Sequence, residues 1–355
     1  MSWPLPYRTP LSIKWLLLGL VGMVAGFVVL IWWAAGTLIP TEDYTQGFMG
    51  TTSLDSPEVS EAAFSVMTYN IGFGGGLGGL NAHVPNRAQI QQNLDKMVAA
   101  VRAQNPDILC VQEIDMASRR STYIDEVRWI ATQAGFPYYA VAYTWAQQWV
   151  PYPTTLDFRC HFGRTLAGQA VFSKFPIHAQ QVLRFPKPGQ NSWIYNLFYL
   201  DRVAQILTLD LGAQGLIRVV NVHLEAWNAR SREAQVAQLL STLGTLDRTI
   251  VAGDFNTIPD VAQKRDQFSD DSEDDYRDDH SFSQISRHLS EVLPAATPVE
   301  ESAQWTYPSD APSRRLDYIF YGPGLTCSGS EVVQSAGSGS DHLPVAARFR
   351  HVSPQ

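Results

Sequence analysis

Acids, amides and imidazoles recur at the ends of strand-like runs in this chain. Asn70 closes FSVMTYN, Glu113 closes DILCVQE and His223 closes LIRVVNVH. Asp254 and Asn256 follow IVAG, Asp317 opens DYIFY, and Asp341 and His342 precede the last apolar run. Any one of them reads equally well as a turn residue, because Asp and Asn close turns with their own side chains. Repeated over unrelated segments, the pattern has a second meaning. Strand ends in an α/β fold meet along one edge, where sites are usually built. Carboxylates and amides supply oxygen ligands for a hard divalent cation, and carboxylates with histidines move protons. Such a set suits hydrolysis by water activated beside a metal ion.

The elements that must position these residues alternate short strands with amphipathic helices. Arg87–Gln104 carries Ile90, Leu94, Met97, Val98 and Val101 at helical spacing, and Pro106 follows its end. Ala229–Leu246 repeats that stripe with Val236, Leu239, Leu240 and Leu243, and Ser121–Ala134 reads as a third helix. Strands are expected at Phe64–Asn70, Asp107–Glu113, Tyr138–Tyr143, Gly168–Ser173, Val203–Asp210, Leu216–His223, Thr249–Asp254, Leu316–Tyr321 and Val345–Phe349. Hairpin-like neighbours mixed with crossover helices predict a large α/β sandwich.

Six blocks, TYNIGFG, DILCVQEID, VVNVHL, VAGDFN, RRLDYIFYG and GSDHLPV, occur in that order. Together they resemble the endonuclease/exonuclease/phosphatase superfamily, which includes deoxyribonuclease I-like nucleases, AP endonucleases, neutral sphingomyelinases and inositol-polyphosphate phosphatases. The resemblance implies a four-layer α/β/β/α sandwich over residues 61–350, in a membrane-anchored, bacterial-type member. It implies Mg²⁺ as cofactor, with Mn²⁺ as a substitute, held by the Glu113 carboxylate and the Asn70 carbonyl oxygen. Asp254 would then orient or deprotonate the attacking water, and Asn256 would hold that water or a phosphate oxygen. His342 would contact the phosphate, with Asp317 fixing its tautomer. His223 would stabilise charge developing on the phosphate or the leaving group. Asp341 either completes the metal shell or assists protonation of the leaving group. Gln169 stands where many members carry Asn, and Tyr143 and Arg164 are further candidates for substrate contact. The proline-tryptophan-cysteine-aspartate motif of inositol 5-phosphatase-like members is absent, which argues against a polyphosphoinositide phosphatase. The glycine-rich run 72–79 lacks the GK[ST] ending of a P-loop and reads as a mobile loop.

Trp15–Ala35 carries no charge, and about 20 such residues cross a bilayer core. Arg8 and Lys14 precede it and Glu42 and Asp43 follow it, so the positive-inside bias keeps residues 1–14 cytoplasmic. A single-pass anchor over 15–36, a polar linker over 37–60 and a periplasmic or extracellular catalytic domain are the expectation; a cleaved signal peptide is the alternative. The net charge of −8 lacks a basic run, which favours a membrane lipid or small phosphoester over nucleic acid. Trp145, Trp149, Tyr152, Trp193, Tyr195, Phe198 and Tyr199 either touch a lipid interface, stack on bases or fill the core. A nuclease and a non-catalytic binding module are the other two readings. The acidic run 270–279 is expected to be a solvated loop. Cys160 and Cys327 are open to pairing in an oxidising compartment. Nothing in the sequence fixes the oligomeric state.

Overall fold

The computed structural model describes residues 13–55, 63–78, 85–271, 274–293 and 298–352. Most of the expected cytoplasmic tail, the domain start expected at Glu61 and the end of the glycine-rich run lie outside these residues. In chain order the elements are α1 (Ile13–Ala34), α2 (Thr41–Gln46), β1 (Phe48–Thr51), β2 (Ala63–Asn70), α3 (Arg87–Gln104), β3 (Ile108–Asp115), α4 (Glu126–Ala134), β4 (Tyr138–Val150), β5 (Gly163–Ser173) and β6 (Ile177–Arg184). They continue with α5 (Trp193–Phe198), β7 (Val203–Asp210), β8 (Leu216–His223), α6 (Ala229–Leu243), β9 (Thr249–Asp254), α7 (Ser281–Ser286), β10 (Ser290–Glu291), α8 (Pro298–Ala303), β11 (Asp317–Tyr321), β12 (Leu325–Val332) and β13 (Val345–His351).

Two mixed sheets form, in the orders β1-β4-β5-β3-β2-β13-β12 and β10-β11-β9-β8-β7-β6. Each contains one parallel pair, β2 with β3 and β8 with β9. Parallel neighbours need a long crossover, and α3 and α6 supply it. Ile90, Leu94 and Met97 of α3 and Val127 and Ile130 of α4 pack on the first sheet. Val236 and Leu239 of α6 and Ile285 of α7 pack on the second. Leu207, Val219, Ile250 and Ile319 join the core between the sheets. The result is the expected four-layer sandwich. Its two parallel pairs run to the same edge: Asn70 is in register with Gln112, and His223 with Asp254.

Local chemistry sets the element ends. Asn86 accepts from the Gln89 N–H while Gln89 Oε1 accepts from the Asn86 N–H, a capping box that starts α3. Asn105 in the left-handed region ends it. The helix expected from Ser121 begins instead at Glu126, because Asp125 caps it by accepting from the Arg128 N–H.

Two further expectations are corrected. Of the stretch expected as a polar linker, the described residues 37–51 are docked on the domain. The Leu38 N–H donates to Ala146 O at 3.0 Å, the Gln148 N–H to Gly36 O at 3.0 Å, and β1 pairs antiparallel with β4. Phe48 and Met49 remain about half exposed on this edge strand, so no apolar alternation marked it. The acidic run is not simply solvated. Arg314 holds Asp270 at 2.8 Å and Asp274 at 2.9 Å, and Asp279 is fully buried against Arg232. All three cysteines are free. The sequence also gave no signal for β6, β12 or α5, which are short or lie on sheet margins. α1 is apolar and long enough to cross a membrane, with a mean hydropathy of 2.4 over Trp15–Ala34, and it is exposed along most of its length, Ala34 at its end being buried.

Candidate active site

β9 ends in Gly253-Asp254, and the glycine is what lets it sit beside β8. Gly253 has φ +152, and a Cβ there would lie 1.9 Å from Val222 O. Any side chain would push β9 away from β8 and separate Asp254 from His223. Glu113 sits in an irregularity between β3 and β5, where register shifts between Val111 and Ile114. Its φ is 54, and Asn256 has φ 50. Non-glycine residues rarely adopt this region, and where they do the surrounding structure must hold them there.

The residues singled out in the sequence converge on this edge. Asn70 Nδ2 donates to Asp254 Oδ2 at 2.9 Å and approaches Glu113 Oε1 at 3.4 Å. His223 Nε2 lies 3.5 Å from Asp254 Oδ2 and 3.7 Å from Glu113 Oε1. His342 Nδ1 and Asp317 Oδ2 share a proton at 2.8 Å, and His342 Nε2 is 3.8 Å from Asp254 Oδ2. The Asn256 N–H donates to Asp254 Oδ1 at 2.9 Å, and Asn256 Nδ2 is pinned to Leu224 O at 3.1 Å. Ser340 ties Asp341 into the site: its hydroxyl donates to Asn70 O at 2.8 Å and accepts from the His342 N–H at 3.2 Å. Asp341 Oδ1 lies 3.1 Å from the Ser340 hydroxyl. The Tyr307 ring packs on His342 with centroids 4.7 Å apart.

One orientation differs from expectation. Asn70 turns its Nδ2, not its carbonyl oxygen, toward the carboxylates, and Oδ1 accepts from the Gly72 N–H at 3.1 Å. Two neighbouring carboxylates attract the donor end of an amide. Gln169 is a strut between the sheets, its Nε2 donating to Asn221 O at 2.5 Å. Tyr143 packs against Tyr44 and Arg164 is exposed on β5, so neither joins the cluster.

Crowding of like charge shows in the titration of the site. Burial and then Asp341 push Glu113 up to about 7, against the pull of His342 and Arg202. Burial pushes Asp254 up to about 6 although His342 lowers it. For His342 burial alone would favour the neutral ring, but Asp317, Asp254 and Asp341 together outweigh it and raise the imidazolium to about 10. His223 goes the other way: burial, Arg202 and His342 hold it well below the usual imidazole range. At neutral pH one histidine is therefore a cation and the other a neutral ring. Asp254, Asp317 and His342 also bring one ligand-type atom each within 4.8 Å of one another. Because His342 Nδ1 is committed to Asp317, that trio orients a charged imidazolium.

Arg202 was missed in the sequence. It lies just before β7, is 4% exposed, and its Nε and Nη1 have no hydrogen-bond partner. Its nearest carboxylate is Glu225, at 3.9 Å from Nε, and its charge acts on Glu113 and Asp254. No strand-end pattern marks it; the buried guanidinium, with two donors left over, is visible only in three dimensions.

Among curated proteins no sequence matches the chain. Solved structures match in fold. An endonuclease/exonuclease/phosphatase from Beutenbergia cavernae is 19% identical with a TM-score of 0.57, covering 81% of this chain and 72% of that one. The human Nocturnin catalytic domain with bound sulfate is 20% identical with a TM-score of 0.54, covering 86% and 98%. ANGEL2, a 2',3'-cyclic phosphatase in complex with adenosine-2',3'-vanadate, is 19% identical with a TM-score of 0.54, covering 85% and 99%. The sequence pattern of the Endonuclease/Exonuclease/phosphatase family matches residues 67–342. That span includes every member of the cluster, and the chain belongs to this family of phosphoester hydrolases, whose enzymes generally use a divalent metal.

Proposed function

We propose that this protein is a membrane-tethered, Mg²⁺-dependent phosphoesterase that cleaves phosphodiester or phosphomonoester bonds, with a lipid or small phosphoester as substrate. The observation that carries this reading is the excess of buried carboxylate at the converging strand ends, beside a histidine that stays charged.

The donor set fits a hard cation. Glu113 and Asp341 are carboxylates, Asp341 raises the proton affinity of Glu113, and Glu113 is 28% exposed, open to an incoming ion. Glu113 and Asp341 would hold Mg²⁺, or Mn²⁺ in its place, with Asn70 beside them, and the ion would polarise a phosphoryl oxygen and steady the leaving oxygen. The protein groups do the rest. Asp254 accepts the proton of the attacking water, and the backbone of Asn256 and the amide of Asn70 fix its carboxylate. His342 offers a charged Nε2–H to a phosphoryl oxygen while Asp317 holds the other ring proton. His223 is neutral and sits against both carboxylates, ready to donate to charge appearing on the phosphate. Arg202 supplies idle donors of fixed charge on the same side.

The test is turnover by the full chain, with Mg²⁺ and with EDTA, on sphingomyelin, glycerophospholipids, phosphoinositides, single-stranded and duplex DNA, and RNA. Lipid cleavage that stops with EDTA, and with Asp254→Ala or His342→Ala, is expected. Nucleic-acid cleavage alone would replace the lipid reading with an extracytoplasmic nuclease. No turnover of any substrate and no Mg²⁺ binding would leave a binding module.

A further inference from the structure

The aromatic residues of the chain fall into two groups that the sequence did not separate. Trp145 and Tyr199 are buried; Trp193 is 69% exposed on α5 and Trp227 is 71% exposed after β8. Ile194 and Leu197 of α5 are exposed as well, and so are Leu156, at 94%, and Phe158 in the loop between β4 and β5. Apolar side chains scattered singly over a surface mean little. These belong to three segments packed on one another. Leu200, just after α5, packs on the Trp145, Val150 and Phe162 cluster at the base of the hairpin. Tyr195 stacks on Tyr199 at 5.4 Å, and Tyr199 meets Trp227 at 6.0 Å.

This rim adjoins the catalytic edge. The Tyr199 hydroxyl donates to Glu225 at 2.9 Å, and Glu225 lies two residues beyond His223. The rim also adjoins the foot of α1. Three residues separate Ala34, the last of that helix, from Leu38, whose N–H is bonded to Ala146. At about 3.5 Å per residue the helix end is held within roughly 14 Å of β4. On the same stretch of β4, Gln147 Nε2 donates to Leu197 O of α5. A tether this short leaves the domain little freedom to turn its rim away from the plane in which the helix ends.

We propose that Trp193, Ile194, Leu197, Leu156 and Phe158 seat in the headgroup–acyl boundary beside α1, so that the catalytic edge faces phosphoesters carried in the bilayer. The proposal rests on α1 spanning the membrane and deepens the reading of the site as a phosphoesterase. Indole and aliphatic side chains are stabilised at that depth, and a spanning helix removes the entropic cost of finding the surface. The substrate class it selects is a phospholipid whose phosphate lies at the surface, not a soluble polyanion.

The test uses the full chain in phosphatidylcholine vesicles, on a background of Cys160→Ser and Cys327→Ser, with Cys110 buried and unreactive. Trp193→Cys, Leu156→Cys and Leu216→Cys are each labelled with an environment-sensitive fluorophore; Leu216 is exposed at the opposite end of β8. Labels at Trp193 and Leu156 are expected to shift to the blue and lose most of their emission to nitroxide lipids, while the label at Leu216 does neither. Rim labels as accessible to aqueous iodide as the one at Leu216, or a chain that does not float with the vesicles, would overturn the proposal. Hydrolysis of the water-soluble ester bis(p-nitrophenyl) phosphate by the same preparations reads the catalytic assignment separately. Dry rim labels without hydrolysis uphold the docking and reject the phosphoesterase; hydrolysis with wet labels does the reverse.

Discussion

Two buried carboxylates lie near the end of β9, and their surroundings differ at every contact. Asp279 is answered in full. Arg232 Nε and Nη2 reach Oδ2 at 3.0 and 2.9 Å, the Thr257 hydroxyl donates to it at 2.6 Å, and the Ser281 N–H and hydroxyl donate to Oδ1 at 3.0 and 2.7 Å. Burial alone would raise its pKa, but Arg232 and these donors hold it below the usual value. Asp254, three residues before Thr257, has the same degree of burial and no such cation. Its two short bonds come from an amide and a backbone N–H, its two histidines stand off at 3.5 and 3.8 Å, and it titrates near 6. A carboxylate satisfied by fixed donors is a staple; one left short of positive charge is held ready for a proton or a cation. The staple keeps the acidic segment folded beside the site, and the unsatisfied group is the one to which the proposed function gives the chemistry.

That contrast can be broken by substitution. Asp254→Ala should lower kcat/KM about 10²–10⁴-fold, the range for a lost acid–base group, without lowering the melting temperature measured in EDTA. A large loss of stability would mean that Asp254 is a staple too. Asp279→Ala should do the opposite. It strands Arg232 in the interior and should cost about 3–5 kcal/mol in chemical denaturation, while turnover per folded molecule stays near the parent. Arg202→Gln removes idle donors and one buried charge, and a lost charged hydrogen bond of about 1.5–3 kcal/mol corresponds to roughly a 10- to 150-fold fall in kcat/KM. Unchanged kinetics would show that Arg202 only neutralises Glu225.

The smallest expected effect is in the pH dependence of stability in EDTA. Asp254 has a model-compound value of 3.8 and a folded value near 6, so the folded chain binds the extra proton between them and loses stability as pH rises through that window. Asp279 is depressed on folding, so its contribution is present above the unfolded value and lost as pH falls through the folded one. Asp254→Asn should flatten the first slope and Asp279→Asn the second. Equal slopes in both variants would erase the distinction between the two carboxylates.

Much of this arrangement was legible in order but not in space. The stripe from Ile90 to Val101 gave α3 to the residue, because a 3.6-residue period is imposed by one neighbouring sheet. β8 and β9 were legible because strands buried on both faces are dense in Val and Ile. β1, β6 and β12 were not, because strands at sheet margins bury too little to show a pattern. The docking of residues 36–38 on β4 was hidden for a related reason: its bonds are backbone bonds, which no side chain announces.

The sequence by itself determined the apolar span of α1, the helical stripes, and the set of acids, amides and histidines at strand ends. These are local properties, set by spacing and residue type. Only the tertiary structure decided that His342 is held charged near 10 while His223 is held neutral, that Arg202 joins the site, and that Asp279 is a staple. Proton affinity depends on the water a group has lost and the charges within a few ångströms of it. Asp317 and His342, or Arg202 and Glu113, come together only when the chain has folded.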